Sequence, residues 1–424
     1  MKTKIIVLFA LIFIATACQD KVYNKYLANV PQYTSYEEFR TSIKFETPHE
    51  PNTKGNIYIY NDYLFVSEPN EGIHFIDNFD PSNPNNIGFL RIKGNTGLVI
   101  KGDYLYANAL IDLVVIDVSN VTQPIEINRI KDVFPAALPP SKANYPIAGS
   151  IDKNKGVVTD WKIEEVKEKT EDIGFNNCPN CDIFITAETN GFTTNSTQQI
   201  SNNTPQGISG SITKMTLVNN YLYVMETNVL IPFNLDDPIN PKFKTGIGVW
   251  REVETLFANN NNIFMGTTTG MLIYDTSNPD VPNYVATLNH MRGCDPVVVQ
   301  NDYAYVTIRS GATRCSGAIN QLDIVDVSDI YNPILENSFP MQNPYGLGID
   351  GNTLFVCDGD AGLKIFDATN PINSGDELIK EYKNIQATDV IPFNDIAILI
   401  GDDGIYQYNY ADNQNVELLS KIKF

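Results

Sequence analysis

A short apolar strand closing on an acid or an amide recurs seven times in this chain, and that recurrence decides most of what it can fold into. The copies read IHFID (73–77), LVVID (113–117), LIPFN (230–234), MLIYD (271–275), LDIVD (322–326), LKIFD (363–367) and IYQYN (405–409). Ahead of each stands a second strand: DYLFV (62–66), DYLYA (103–107), NYLYV (220–224), NIFMG (262–266), DYAYV (302–306), TLFVC (353–357) and DIAIL (395–399). Neighbouring copies are spaced by roughly 41 residues, except where a segment is inserted. Each copy is built of β-branched and aromatic runs parted by Gly, Asn, Asp and Pro, the pattern of strands joined by hairpins. Four short antiparallel strands per copy at this period predict an all-β fold, a seven-bladed β-propeller of four-stranded antiparallel blades over residues 42–424. The strands are mostly apolar rather than alternating, which suits sheets packed on both faces. A solenoid is the rival architecture, but a closed ring needs no capping repeats. The segment Ser42-Ile-Lys-Phe-Glu46 reads as an extra strand that helps the ring close.

The third strands, above all LVVID with DVSNVTQP running on from its Asp (117–124), resemble the LVIVD-repeat family of extracytoplasmic β-propellers. The likeness is clearest in the second and fifth copies. In the third and seventh, Asn234 and Asn409 replace the acid, and Pro232 interrupts the third copy's strand. The resemblance implies a propeller on the cell surface or in the periplasm, and no established reaction.

Recurring carboxylates at Asp77, Asp117, Asp275, Asp326 and Asp367 invite a metal or catalytic reading. A turn reading is stronger. A carboxylate at a strand end accepts hydrogen bonds from the backbone N–H groups just ahead, and Pro84, Pro124 or Pro333 fixes the loop behind it. Asn makes the same contact, which explains Asn234 and Asn409. One such group per blade also spreads them round the ring, where they cannot converge on one ion.

Propeller topology sorts the irregular segments. Each innermost strand begins on one rim, here the upper rim, and the hairpin between second and third strands returns to it; the Asp/Pro turns lie on the lower rim. An insertion over residues 135–212, between blades 2 and 3, falls on the upper rim. Within it, residues 156–169 alternate as a long strand would, whereas Thr193 to Ser211 is Asn/Thr/Ser/Gln/Gly-rich and reads as a mobile loop. Blade 5 carries an enlarged hairpin, Arg309 to Gln321, on the same rim. Cys294 and Cys315 then suit a disulfide tying that hairpin down, and Cys178 and Cys181 suit a local disulfide. Cys357 reads as an unpaired buried thiol. His49, His74 and His290 show no paired spacing, so neither a metal site nor a cofactor is expected. Arg251, Glu252, Arg292, Asp295, Tyr345, Thr388 and Asp389 stand at the starts of innermost strands and are candidate ligand-binding residues at the channel mouth.

The chain opens with a basic segment, Met1 to Lys4, then an apolar run from Ile5 to Ile14 and Ala15-Thr16-Ala17-Cys18. That run suits a signal peptide rather than a membrane span. The small residues before Cys18 resemble a bacterial lipobox, which implies signal peptide 1–17, lipidation of Cys18, a linker over 18–41 and a place on the cell envelope, the outer membrane foremost. The formal charge of −20 argues against nucleic acid. With no GxSxG, histidine cluster or phosphate loop, the expected function is a lipid-anchored binding or scaffold module taking a protein or glycan at the upper rim. The alternative is a hydrolase acting on a sugar or lactone, with Glu252, Asp295 and Asp389 at the channel mouth.

Overall fold

Seven antiparallel sheets follow one another along the chain, each built on a meander of strands consecutive in sequence, the first carrying an added strand on either edge; an eighth sheet has two strands. We describe them from a computed structural model over residues 23–53, 55–169, 208–290, 292–311 and 317–424. Cys18, Cys178, Cys181 and Cys315 lie outside the described residues. The chain divides into two units; residues 23–36 and 139–169 belong to one, and residues 37–138 and 208–424 to the other.

The larger unit is the expected propeller. Its innermost strands are Ile57–Tyr60, Leu98–Lys101, Met215–Val218, Val253–Asn259, Val297–Gln300, Leu347–Asp350 and Asp389–Phe393. Every turn from innermost to second strand holds a left-handed residue at the same place: Asn61, Gly102, Asn219, Asn260, Asn301, Gly351 and Asn394, with φ between 49° and 58°, and blade 7 adds a second, Asp395, at 61°. Asn and Gly are the residues that tolerate this conformation, so the repeat reaches down to single backbone angles. In six blades the third and outer strands slip register by a bulge, which adds twist. Blade 3 is the exception. Pro232 denies its third strand an N–H, and the outer strand there is broken into Lys242–Phe243 and Ile247–Gly248.

Blades pack face to face through buried rings, among them Phe65, Phe75, Tyr106, Tyr223, Tyr305 and Phe355. Each adds roughly 1.5–3 kcal/mol of burial. Tyr106 and Tyr223 also reach the neighbouring blade's lower-rim turn, where their hydroxyls donate to the carbonyls of Pro238 (2.9 Å) and Pro279 (3.0 Å). Ile57, Ile59, Leu64 and Val66 of blade 1 pack on Ile391, Ile398, Ile400 and Ile405 of blade 7, and this contact closes the ring. Asn78 and Gln407 exchange side-chain hydrogen bonds across the same joint, at 2.9 and 2.6 Å.

Three findings depart from the sequence expectations. The added strand, Lys44–Glu46, pairs with the outer strand of blade 1, so it covers an open edge instead of closing the ring. Residues read as a linker contain a strand, Tyr23–Thr34, antiparallel to Val157–Lys169. Asn29 anchors this smaller unit: its side-chain amide donates to the carbonyls of Lys142 (3.0 Å) and Tyr145 (2.6 Å) and accepts from the Lys142 N–H (3.1 Å). Finally, residues 193–207 of the expected loop lie outside the described residues, and the few that follow include a strand. Ile208–Ser209 adds a strand to the channel edge of blade 1, opposite Ile59 and Tyr58. That edge presents unpaired backbone groups to the channel, and the added strand satisfies some of them. Among the described residues no helix is long and apolar enough to cross a membrane.

Candidate functional site at the upper rim

The recurring acids do what the turn reading requires. At 2.7–3.1 Å, the side-chain oxygens of Asp77, Asp117, Asn234, Asp275, Asp326, Asp367 and Asn409 each accept from the backbone N–H two residues on. They therefore hold lower-rim turns, and the upper rim is where the chain departs from its own repeat.

Residues 208–213 run up the channel toward that rim. Ser211, only 2% exposed, donates its hydroxyl to Asp389 Oδ1 (2.8 Å) and accepts from the Leu347 N–H (3.0 Å). Two glycines make room for the carboxylate. A Cβ on Gly210 would lie 2.0 Å from Asp389 Oδ2, and one on Gly346 2.2 Å from Oδ1. Burial pushes the Asp389 carboxyl up to about 6, against the pull of Ser211 and nearby backbone N–H groups. Asp389 is thus engaged with this segment. Thr388 is bonded to its own blade, with both its N–H and its hydroxyl on the Ile400 carbonyl.

Asp295 is also fully enclosed. Its Oδ2 accepts from the Thr267 N–H (2.9 Å) and meets His290 Nε2 (3.0 Å), while Oδ1 is buried with no hydrogen-bond partner. Burial raises this carboxyl to about 7, with His290 pulling it down and Glu254 adding to the rise. Arg251 donates to the Thr269 carbonyl (2.8 Å) and to Asn289 Oδ1 (2.6 Å), so it braces the blade 4 hairpin. The rim residues predicted from sequence therefore do not form one cluster.

What faces solvent is a pair of adjoining hollows sharing Ile212, Lys214 and Glu254. The larger, about 530 Å³, spans blades 1 to 4 and is lined by Asn56, Asn70, Thr96, Glu226, Thr227 and Glu252 among others. Burial raises the carboxyl of Glu226, opposed by Lys214. The smaller, about 340 Å³, is lined by Thr255, Pro296, Arg309 and Tyr345. There the Arg309 guanidinium sits 4.1 Å from the Tyr345 ring centroid. Arg309 also pairs with Cys294 through two 2.9 Å backbone hydrogen bonds, so backbone bonding already ties the blade 5 hairpin to the rim. Arg292 is exposed beside it. A third hollow, about 530 Å³, is lined by Ile208, Ser211, Gln300, Asp350 and Asn394 among others and reaches the lower-rim turns. Cys357 is a buried free thiol, as expected, and burial raises its pKa.

Sequence reasoning missed Gly210 and Ser211, because a Ser/Gly-rich stretch carries no apolar period. It also missed His49, Glu68 and His74, which blade 1 gathers in one place.

No curated protein matches the chain. Solved propellers are similar to it in fold: Hsv2 of Kluyveromyces lactis (12% identity, TM-score 0.48, 88% of this chain and 99% of that one) and BamB of Moraxella catarrhalis (10%, 0.46, 90% and 88%). PorZ of Porphyromonas gingivalis, a bacterial surface component of the type-IX secretion system, matches at 8% identity and TM-score 0.47, over 88% of this chain and 39% of that one. Residues 94–132, which hold blade 2, match the LVIVD repeat.

Proposed function

We propose that this chain is a lipid-anchored binding or scaffold module of the bacterial cell envelope, meeting a protein or glycan at its upper rim. The observation that carries this reading is the pair of adjoining hollows there, where Glu226, Glu252, Glu254, Lys214, Arg309 and Tyr345 offer charge and an aromatic face. Functional variation sits on loops over a rigid scaffold, and here the enlarged hairpin and the insertion depart from the repeat. In this reading signal peptide 1–17 directs export, acylated Cys18 holds the protein to the outer membrane, and disulfides join Cys294 to Cys315 and Cys178 to Cys181. The hydrolase alternative needs Glu252, Asp295 and Asp389 on one substrate. Asp295 and Asp389 are instead turned to His290 and Ser211.

The test is cross-linking in the native envelope with the full anchored protein. The double variant Arg309→Glu/Tyr345→Ala should lose cross-linked species that a lower-rim control, Phe79→Ala, retains. An unchanged pattern in the double variant refutes the upper rim as the binding face. Cys18→Ala should release the protein from the membrane fraction; retention there refutes the anchor.

A further inference from the structure

We propose that His49, Glu68 and His74 form a binding site for one first-row divalent cation, zinc foremost, on the outer half of blade 1. His74 and Glu68 share one hairpin, His49 comes from an earlier segment, and the fold brings one ligand atom from each within 4.8 Å of the others. His49 sits on the segment that crosses from the edge strand Lys44–Glu46 to the innermost strand Ile57–Tyr60. Glu68 ends the second strand, and His74 stands near the start of the third.

Their surroundings suit a metal. His74 is fully buried and Glu68 is 4% exposed. His74 Nε2 lies 3.0 Å from Glu68 Oε2, while His74 Nδ1 is buried with no hydrogen-bond partner. The carboxylate faces the Nε2 edge of the imidazole, so a cation entering there replaces their direct contact and takes both groups as ligands. Partners outside the three residues hold them in place, as around protein metal sites in general. Asn52 donates to Glu68 Oε1 at 3.1 Å, and Asn86 donates to the His49 carbonyl at 2.8 Å. His49 Nδ1 lies 2.9 Å from the Glu50 carbonyl, which can only accept. Nδ1 is therefore the protonated nitrogen, and Nε2 keeps its lone pair for an ion. Phe89 packs at 4.6 Å against both imidazoles and walls the site on one side. His49 is half-buried, which leaves water a route to a fourth coordination position.

Two imidazoles and one carboxylate are a recurrent zinc ligand set. Bonds of about 2.0–2.1 Å place tetrahedral ligands roughly 3.3 Å apart, so the cluster closes by about 1.5 Å at its widest when an ion enters. The ion acts as a clip, fastening the crossing segment to the blade it flanks.

The experiment takes the full, tag-free chain, strips it with EDTA, and titrates it with Co²⁺ and with Zn²⁺ against a chromophoric chelator. One equivalent of Co²⁺ should give visible ligand-field bands without thiolate-to-metal charge transfer, which separates this site from Cys178 and Cys181. Zn²⁺ should bind with a micromolar or lower dissociation constant and raise the thermal midpoint. His49→Gln should weaken zinc binding at least tenfold and lose the zinc-dependent rise in midpoint measured against its own EDTA-stripped state; Glu68→Gln should weaken binding too, and Cys178→Ser/Cys181→Ser should bind as wild type. Wild type that retains no zinc, thiolate charge transfer with Co²⁺, or undiminished binding in His49→Gln each overturns the proposal.

Discussion

Replacing Ser211 by alanine tests whether the channel segment is held as described. The substitution deletes two contacts, the hydroxyl's 2.8 Å bond to Asp389 and the 3.0 Å bond it accepts from the Leu347 N–H. A hydrogen bond to a charged group contributes about 1.5–3 kcal/mol, and an orphaned buried N–H costs about 1–3 kcal/mol. The hollow beneath Ser211 gives water partial access, which lowers the total, so about 2–4 kcal/mol is expected. The carboxyl of Asp389 should rise further, because the Ser211 hydroxyl is the largest influence holding it down. The sign of the pH effect follows. A carboxyl raised in the folded state favours folding most below its unfolded value near 4, and that contribution is lost as pH climbs through about 6. The Ser211→Ala deficit should therefore be larger at pH 7.5 than at pH 4.5. Urea unfolding at both pH values, with the m-value as control, measures it. Gly210→Ala, which forces a Cβ onto Asp389, should loosen the same segment and speed proteolysis there. A Ser211→Ala protein within 0.5 kcal/mol of wild type at pH 7.5 refutes the anchoring (roughly the scatter of inert surface changes).

Three further outcomes are expected. Asp295, raised to about 7 by burial, makes wild-type stability fall as pH rises from about 4 through 7; Asp295→Asn should remove up to about 4 kcal/mol of that slope in unfolding measured from pH 4.5 to 8, and an unchanged slope refutes the assignment. Asp117→Asn should be nearly silent, because Asn234 and Asn409 already perform that turn contact, whereas Asp117→Ala should cost about 1 kcal/mol in the midpoint of chemical unfolding. A double-mutant cycle on Asn78 and Gln407 should give a coupling of about 0.5–1.5 kcal/mol, and zero coupling would show that the two bonds do not help close the ring.

The propeller was legible because its information is local and repeated. Seven strand-ending Asp or Asn residues, seven Asn or Gly turns and the buried second strands each recur at the same place in the unit. Even the weak copy announced itself, since Pro232 marks the blade whose outer strand is broken. The site was far less legible. Its rim positions followed from topology, but topology says where a residue starts and not which way its side chain turns. Asp389 and Asp295 stand where an open channel would display them, yet each is buried against a partner that sequence does not place beside it. Ser211 is 178 residues from Asp389. His49 and His74 failed the spacing test for metal ligands because that test reads single hairpins or helices, and here a strand-crossing segment supplies one ligand and a β-meander the other two.

Where a propeller's axis is open, groups from every blade can point at one ligand, and the hydrolase reading depends on that convergence. In this chain residues 208–213 lie in the channel, backed by a strand pairing on blade 1 and a buried Ser–Asp contact on blade 7. Hollows adjoin this segment above it on the rim and below it, and Ile212, with Lys214 just after the stretch, lines both upper ones. A ligand at the upper rim therefore touches the insertion's own end. Binding there and the anchoring of residues 208–213 are physically linked, so Ser211→Ala should also weaken whatever the Arg309→Glu/Tyr345→Ala rim loses, though Ser211 itself lines only the hollow below.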